Sequence, residues 1–450
     1  MYLRFSIFSQ PFLSSMSSVI SGSALTSPAI GRFGQNAVES ILSAALTTVC
    51  GVVGGVILAR VLGPEVRGIF ATATIWPIVL SQLGDMGLGY ALAYSIGRGP
   101  HRASELWTLA LLASVVLGLV LAGSAALVLP YLLQRGFSHS LLGIALSAIP
   151  FMLATNYQLY ILLGAGCIRE HNWLRLGISL LYMGGVALLA VANDTSVGAY
   201  CVLFTANQCI AFVISGLVVA RRLRVFITWP TQVRAELVFG LKTQLGALAS
   251  HTSLRLDQLL MTALLPSAEL GQYVVAVAVA GITAPLFSGL AWLTLPRLAQ
   301  SPSPLAGGIE AARCLRLAFM MALPAVILGV IVIPVAIPVV FGLGYQPATR
   351  AAQVLLVASL FQGANVVLGT ALRGLGHPGK SALSEGAGAV ATILLLAVLL
   401  PRFGIIGAAV ASLAAYGLVS ILQNRDLLVA TGVNAGAAFL NLTRRRERCQ

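Results

Sequence analysis

Charge is what this sequence has least of. Only 9% of its 450 residues are charged, against about 25% in an ordinary soluble domain. A water-facing surface for a chain of this length cannot be built from so few, which excludes a soluble enzyme. Acids are scarcer still, 13 Asp+Glu against 27 Lys+Arg. The five histidines (His101, His139, His171, His251, His377) are scattered and make no metal spacing such as HExxH. The six cysteines (Cys50, Cys167, Cys201, Cys209, Cys314, Cys449) form no CxxC pair. Most fall in apolar runs, where a thiol behaves as a small buried hydrophobe. No order of nucleophile, base and acid stands out. The residues therefore point to no enzyme, no metal site and no cofactor.

Apolar residues fill the space that charge leaves, 58% of the chain. Disorder needs the opposite balance. An all-α, polytopic membrane protein remains, because helices satisfy their own backbone polar groups inside lipid. A crossing helix needs about 20 apolar residues at about 1.5 Å each. That ruler marks twelve spans. Spans one to six are 39–60, 69–96, 107–130, 140–166, 173–193 and 197–220. Spans seven to twelve are 237–264, 270–295, 315–341, 349–373, 381–400 and 404–424. The stretch 427–441 is too short and too rich in Gly and Asn to be a thirteenth. Residues 1–38 read as a cytoplasmic segment, either a surface helix or an over-long start with Met16 as the alternative first residue. They lack the pattern of a cleaved signal peptide.

Basic residues set the orientation. With both termini cytoplasmic, 21 Lys and Arg fall inside and five outside, namely Arg60, Arg67, Arg135, Arg350 and Arg402. Arg255 lies within a span. This bias follows the positive-inside rule, so the net charge of +14 marks membrane topology and not nucleic-acid binding. Trp107, Trp173 and Trp292 fall near the same helix ends, where amphipathic rings settle. The tail 425–450, with Arg444, Arg445, Arg446 and Arg448, is placed to meet anionic lipid.

The longest basic loop, 221–236, divides the chain into lobes 39–220 and 237–424, six spans each. The halves echo each other. Leu62-Gly63-Pro64-Glu65-Val66-Arg67-Gly68-Ile69-Phe70 follows span one. Leu265-Pro266-Ser267-Ala268-Glu269-Leu270-Gly271-Gln272-Tyr273 follows span seven. Each offers a Leu, a Pro turn, an acid, a Gly and an aromatic. The fourth span of each half carries a mid-helix amide, Asn156 and Asn365. Both halves enter the membrane in the same sense, which predicts two bundles related by a pseudo-two-fold along the membrane normal, with a cleft between them.

Ionisable groups inside spans are costly unless paired or hydrated, so they are the informative ones. They are Asp85, Arg255, Asp257 and Glu385, with His251. In span seven, Gln244, Ala247, His251, Arg255 and Gln258 recur at helical steps and share one face. Arg255 lies about 16 Å from the Pro266 end, near mid-membrane. Asp257 is about 200° around the helix from it, so each needs a partner elsewhere. Arg255 suits a pyrophosphate or sugar in the cleft, since a guanidinium forks onto phosphate. The structural alternative is an inter-helix pair, for instance with Asp85. Asp85 sits among Gly84, Gly87 and Gly89, eight residues after Pro77, where a bend is allowed. A gate, an ion site, a counter-ion or a packing hinge all fit it. Glu385 lies near a helix end and reads as a snorkelling acid. Asn156, Tyr157, Gln158 and Tyr160, with Gln362 and Asn365, suit sugar hydroxyls or inter-helix hydrogen bonds. Gly374 to Ser381 matches the phosphate-cradling pattern GxxxxGK[ST]. It joins two spans with no strand before it, and reads as a turn.

Ala59-Arg60-Val61-Leu62-Gly63-Pro64 through Gly68, then Leu83-Gly84-Asp85-Met86-Gly87-Leu88-Gly89-Tyr90-Ala91-Leu92, resembles the opening of Wzx-type oligosaccharide flippases. These belong to the multidrug/oligosaccharidyl-lipid/polysaccharide exporter superfamily. Arg255-Leu256-Asp257-Gln258-Leu259-Leu260 and Ala371-Leu372-Arg373-Gly374-Leu375-Gly376 resemble it too, and the likeness runs over about residues 40–425. It implies alternating access between two lobes in a bacterial inner membrane. It implies as cargo a polyprenyl-pyrophosphate-linked oligosaccharide moved to the outer leaflet. The implied partners are that lipid-linked oligosaccharide, membrane lipids, the polysaccharide polymerase and the chain-length machinery. The alternative within the superfamily is a cation-coupled multidrug antiporter, whose cleft should be dominated by acids. A membrane polymerase or ligase would need a long outer loop, and a pure scaffold has little use for midplane charges.

Overall fold

The computed structural model describes residues 28–99, 102–133, 137–230, 234, 236–238, 240–241, 255–299 and 301–434. Among these, every regular element is helical, and they follow the twelve-span pattern. Spans one and two share one run, Pro28–Gly84, folded at Gly63 with φ 69°. Spans eleven and twelve share Pro378–Thr431, folded at Gly404 with φ 53°. Both turns need a backbone conformation that costs a side-chain-bearing residue about 1–2 kcal/mol. Span one begins earlier than expected, at Pro28, and span nine runs Pro304–Phe341, with three internal prolines. Span twelve continues to Thr431, seven residues beyond the expected 424.

Several spans are broken. Span two stops at Gly84, passes through left-handed Met86 (φ 48°) and Gly87 (φ 69°), and resumes as Leu88–Arg98. The Pro and Gly pattern anticipated this bend. Span four is His139–Leu146 followed by Ile149–Gly164. Span eight is Ser267–Ala280, one 3₁₀ turn and Ala284–Ala299. Span seven departs most from expectation. Its described helix is only Leu256–Leu264, and Arg255 precedes it in a turn with φ −132°. The even helical face expected from Gln244 to Gln258 therefore does not continue through Arg255. Gln244, Ala247 and His251 lie outside the described residues, as do the side chain of Trp292 and the basic tail from residue 435.

The fourth span of each half is largely enclosed: half of the apolar window of span four and 72% of that of span ten are buried. One apolar core joins mainly spans eight to twelve, and two others serve the first half. Leu119, Leu127, Ile331 and Val335 stand exposed on the outer helix faces, as lipid-facing side chains should.

The halves meet at the two echoing segments. A Cβ on Gly68 would overlap the Ser267 carbonyl, and one on Gly271 would overlap the Pro64 carbonyl. Gly68 matches Gly271 and Pro64 matches Ser267 in the repeat, so this contact is reciprocal, as a two-fold interface requires. On the same face, the Arg60 guanidinium donates to the Val339 and Val340 carbonyls at the end of span nine. That position also suits a cation to the helix dipole. The Tyr345 hydroxyl donates to the Ala59 carbonyl at 3.1 Å. The opposite face carries most of the arginines. There Arg102 meets the buried Glu236 at 2.9 Å, and Gly240 lies against the Met86 and Gly87 carbonyls. The linker is extended along span three, with the Phe226 and Thr228 amides donating to the Ser104 and Thr108 hydroxyls.

Gly68→Ala and Gly271→Ala should each cost about 1–3 kcal/mol, the usual price of overpacking. Thermal unfolding of the detergent-solubilised protein should show it. The double variant should lose less than the two single losses added together, since both act on one contact.

Candidate functional site

Behind the glycine contact lies a cavity of about 370 Å³ between the halves. Spans one, two, five, six, seven and eight line it. Its polar wall is Arg67, Arg255, Gln258, Asn207, Gln208 and Tyr182. Among the described residues that line it there is no carboxylate.

Arg67 was placed in an outer loop by the sequence, and the structure corrects this. The second arm of Pro28–Gly84 starts at Pro64 and not at 69, which brings Arg67 onto its first turn and into the cavity. Its guanidinium sits over the Phe70 ring at 5.6 Å, and its buried Nε has no hydrogen-bond partner. The spacing held a signal: Arg67, Phe70, Ala71, Thr74 and Ile78 recur at helical steps, and all line the cavity.

Arg255 reaches the same cavity from the opposite half. It donates to the Gln258 side chain at 3.3 Å, and no carboxylate among the described residues lies within ion-pair distance of it. The expected alternative, a pair with Asp85, is not formed. Asp257 is not among the residues that line the cavity. It is buried and accepts from the Tyr273 hydroxyl at 2.5 Å and from the Gln258 amide at 2.7 Å. It is a fastening between spans seven and eight.

Asp85 caps the restart of span two. Its carboxylate accepts the Gly87 and Gly89 amides and the Asn156 side-chain amide at 3.1 Å. Its carbonyl accepts the Tyr157 hydroxyl at 3.3 Å. An acid at a helix N-terminus satisfies otherwise unpaired N–H groups and suits the helix dipole. Asn365 joins spans ten and twelve, donating to the Tyr416 carbonyl at 3.1 Å and accepting from Ser420 at 2.6 Å. Glu385 is half-buried and accepts from Gln423 at 3.2 Å. Gly374 to Ser381 is the turn between spans ten and eleven, with helix on both sides.

A second cavity of about 290 Å³ shares Ile178, Ser179 and Gln208 with the first, and adds Arg175 and Asn156. Of the seven expected residues, Arg255 and Gln258 thus share the first cavity and Asn156 the second. Unpartnered buried atoms gather along these walls: Arg67 Nε and Asn207 Oδ1 in the first, Thr47 and Thr155 hydroxyls in the second. Buried polar groups are ordinarily bonded, so a cluster of exceptions marks a place for water or ligand.

Residues 57–350 match the family of polysaccharide biosynthesis proteins. The chain belongs to that family. No curated protein matches it significantly. Among solved structures, this family member is similar to the lipid II flippase MurJ in an inward-closed conformation, with TM-score 0.75, 13% identity and 90% of each chain covered. It is also similar to an inward-facing multidrug resistance MATE transporter of the MOP superfamily, with TM-score 0.71, 16% identity, and 85% of this chain and 95% of that one covered. An outward-facing MATE transporter matches with TM-score 0.59, 15% identity and 91% and 95% covered. At these identities the likeness establishes the fold. Family and fold together indicate a multi-pass membrane transporter.

Tyr273→Phe should leave Asp257 short of one hydrogen bond and destabilise the protein by about 1–3 kcal/mol. A fall in the unfolding midpoint of the purified protein checks this, and an unchanged midpoint would mean that Asp257 is satisfied elsewhere.

Proposed function

We propose that this protein flips a polyprenyl-pyrophosphate-linked oligosaccharide from the inner to the outer leaflet of a bacterial cytoplasmic membrane. One observation carries the reading: Arg67 and Arg255 enter one inter-lobe cavity from opposite halves, with no carboxylate among its described lining. A cavity of that polarity favours an anion and disfavours a cationic drug. Cation-coupled antiport would rest on acids, and Asp85, Asp257 and Glu385 are each bonded to neighbouring groups. The pyrophosphate sits between the two guanidiniums, and Gln208, Gln258 and Asn207 meet sugar hydroxyls.

The positive-inside rule puts the Arg102 face in the cytoplasm and the Gly63 turn outside, with both termini cytoplasmic. In this arrangement the glycine contact closes the outer side. Transport is rocking of residues 39–220 against 237–424 about that contact. The head group crosses through the cavity while the lipid tail remains in the bilayer.

A phosphate about 4 Å from one guanidinium gains about 4 kcal/mol at an effective dielectric of about 20, before desolvation is subtracted. Even a third of that is about tenfold in binding. Arg67→Gln and Arg255→Gln should therefore each slow flipping in proteoliposomes at least about tenfold. Lysine at either position should restore part of it, because charge returns without the fork. Normal flipping by both glutamine variants at normal expression would defeat the assignment.

A further inference from the structure

A third cavity, of about 580 Å³, lies on the lipid side of spans five and six. Its walls are two helix stripes. Span five contributes Arg169, Trp173, Gly177 and Leu181, each four residues after the last. Span six, running the other way, contributes Ala211, Ile214, Val218 and Arg222. The stripe from Arg169 to Leu181 is about 18 Å long, close to half of a hydrocarbon core about 30 Å thick. The groove thus reaches from one membrane surface to mid-membrane. Trp173, Leu181 and Ile214 are exposed along it. At Gly177 it is open, since a Cβ there would meet nothing within 4 Å.

The surface end is charged. Arg222 is held by Glu170 at 2.8 Å, so that carboxylate is neutralised within the groove. Arg169 is exposed and has no such partner among the described residues. The inner end touches the transport path, because Ile178 borders this groove and both central cavities. The lipid-facing track and the guanidinium cavity thus meet at Ile178.

We propose that this groove seats the polyprenyl phosphate end of the cargo, with the chain along Gly177, Leu181 and Ile214 and the phosphate first met by Arg169. The inference rests on the flippase reading. It adds the route by which a tail stays in the bilayer while its head group enters the protein: the tail lies beside Ile178, and the head group passes it. The branched methyl groups of a prenyl chain fit the gap that Gly177 leaves.

The test is binding of a sugar-free polyprenyl monophosphate to the purified full-length protein in detergent, read by native mass spectrometry, with phosphatidylglycerol as competitor. Gly177→Trp fills open space, and should weaken binding at least about tenfold without lowering the unfolding midpoint. Arg169→Gln, at an exposed position, should weaken it several-fold. Arg67→Gln with Arg255→Gln should abolish flipping, and probe binding in that double variant should still fall when Gly177→Trp is added. The proposal is overturned if Gly177→Trp and Arg169→Gln bind normally, if adding Gly177→Trp to the cavity double variant changes nothing, or if phosphatidylglycerol displaces the probe at equal concentration, which would mark an ordinary membrane-lipid site. Normal flipping by the cavity variants, with groove binding still lost in Gly177→Trp, would defeat the cavity assignment alone.

Discussion

A guanidinium taken into a membrane needs water, a counter-charge or a ligand, because the surrounding hydrocarbon offers nothing to replace its hydration. Two are taken in here, Arg67 and Arg255, and neither forms an ion pair among the described residues. The architecture follows from that demand. The cavity that surrounds them exists because six spans from two halves lean together over it. They lean together because Gly68 and Gly271 let two backbones touch without side chains between them. A small-residue contact of this kind is how helices approach closely inside a bilayer.

The acids show the complementary solution. Asp257 is covered by Tyr273, Asp85 by the amides of its own chain and by Asn156, and Glu385 by Gln423. Each joins two spans or ends a helix. The charges within the spans thus divide by role: carboxylates fasten helices, and guanidiniums face the cavity. A cavity with this balance favours anions over cations.

Much of the fold was legible in the residues. Long apolar runs cannot be accommodated except as spans. The Gly and Pro clusters at 63–64 and 84–89 marked bends that the structure contains. The site was legible only in part. Arg255 stood out because it lies within an apolar run. Arg67 did not, because it lies three residues past a turn, and a shift of the helix start from 69 to 64 moves it from loop to cavity. Helix boundaries are the part of a fold that sequence reading places least well. Asn156 and Asn365 matched in the repeat, yet one bonds an aspartate and the other a backbone carbonyl and a serine.

The sequence by itself determined that the chain is helical, crosses a membrane twelve times and carries two echoing halves. Those properties depend on composition and on periods of a few residues, which need no knowledge of distant contacts. Only the tertiary structure decided which charges face one another. The side of a helix that meets water depends on its neighbours, and those neighbours lie far along the chain, as Arg67 and Arg255 do. The same holds for the groove of spans five and six, whose two stripes become one surface only when the helices pack antiparallel and Glu170 meets Arg222.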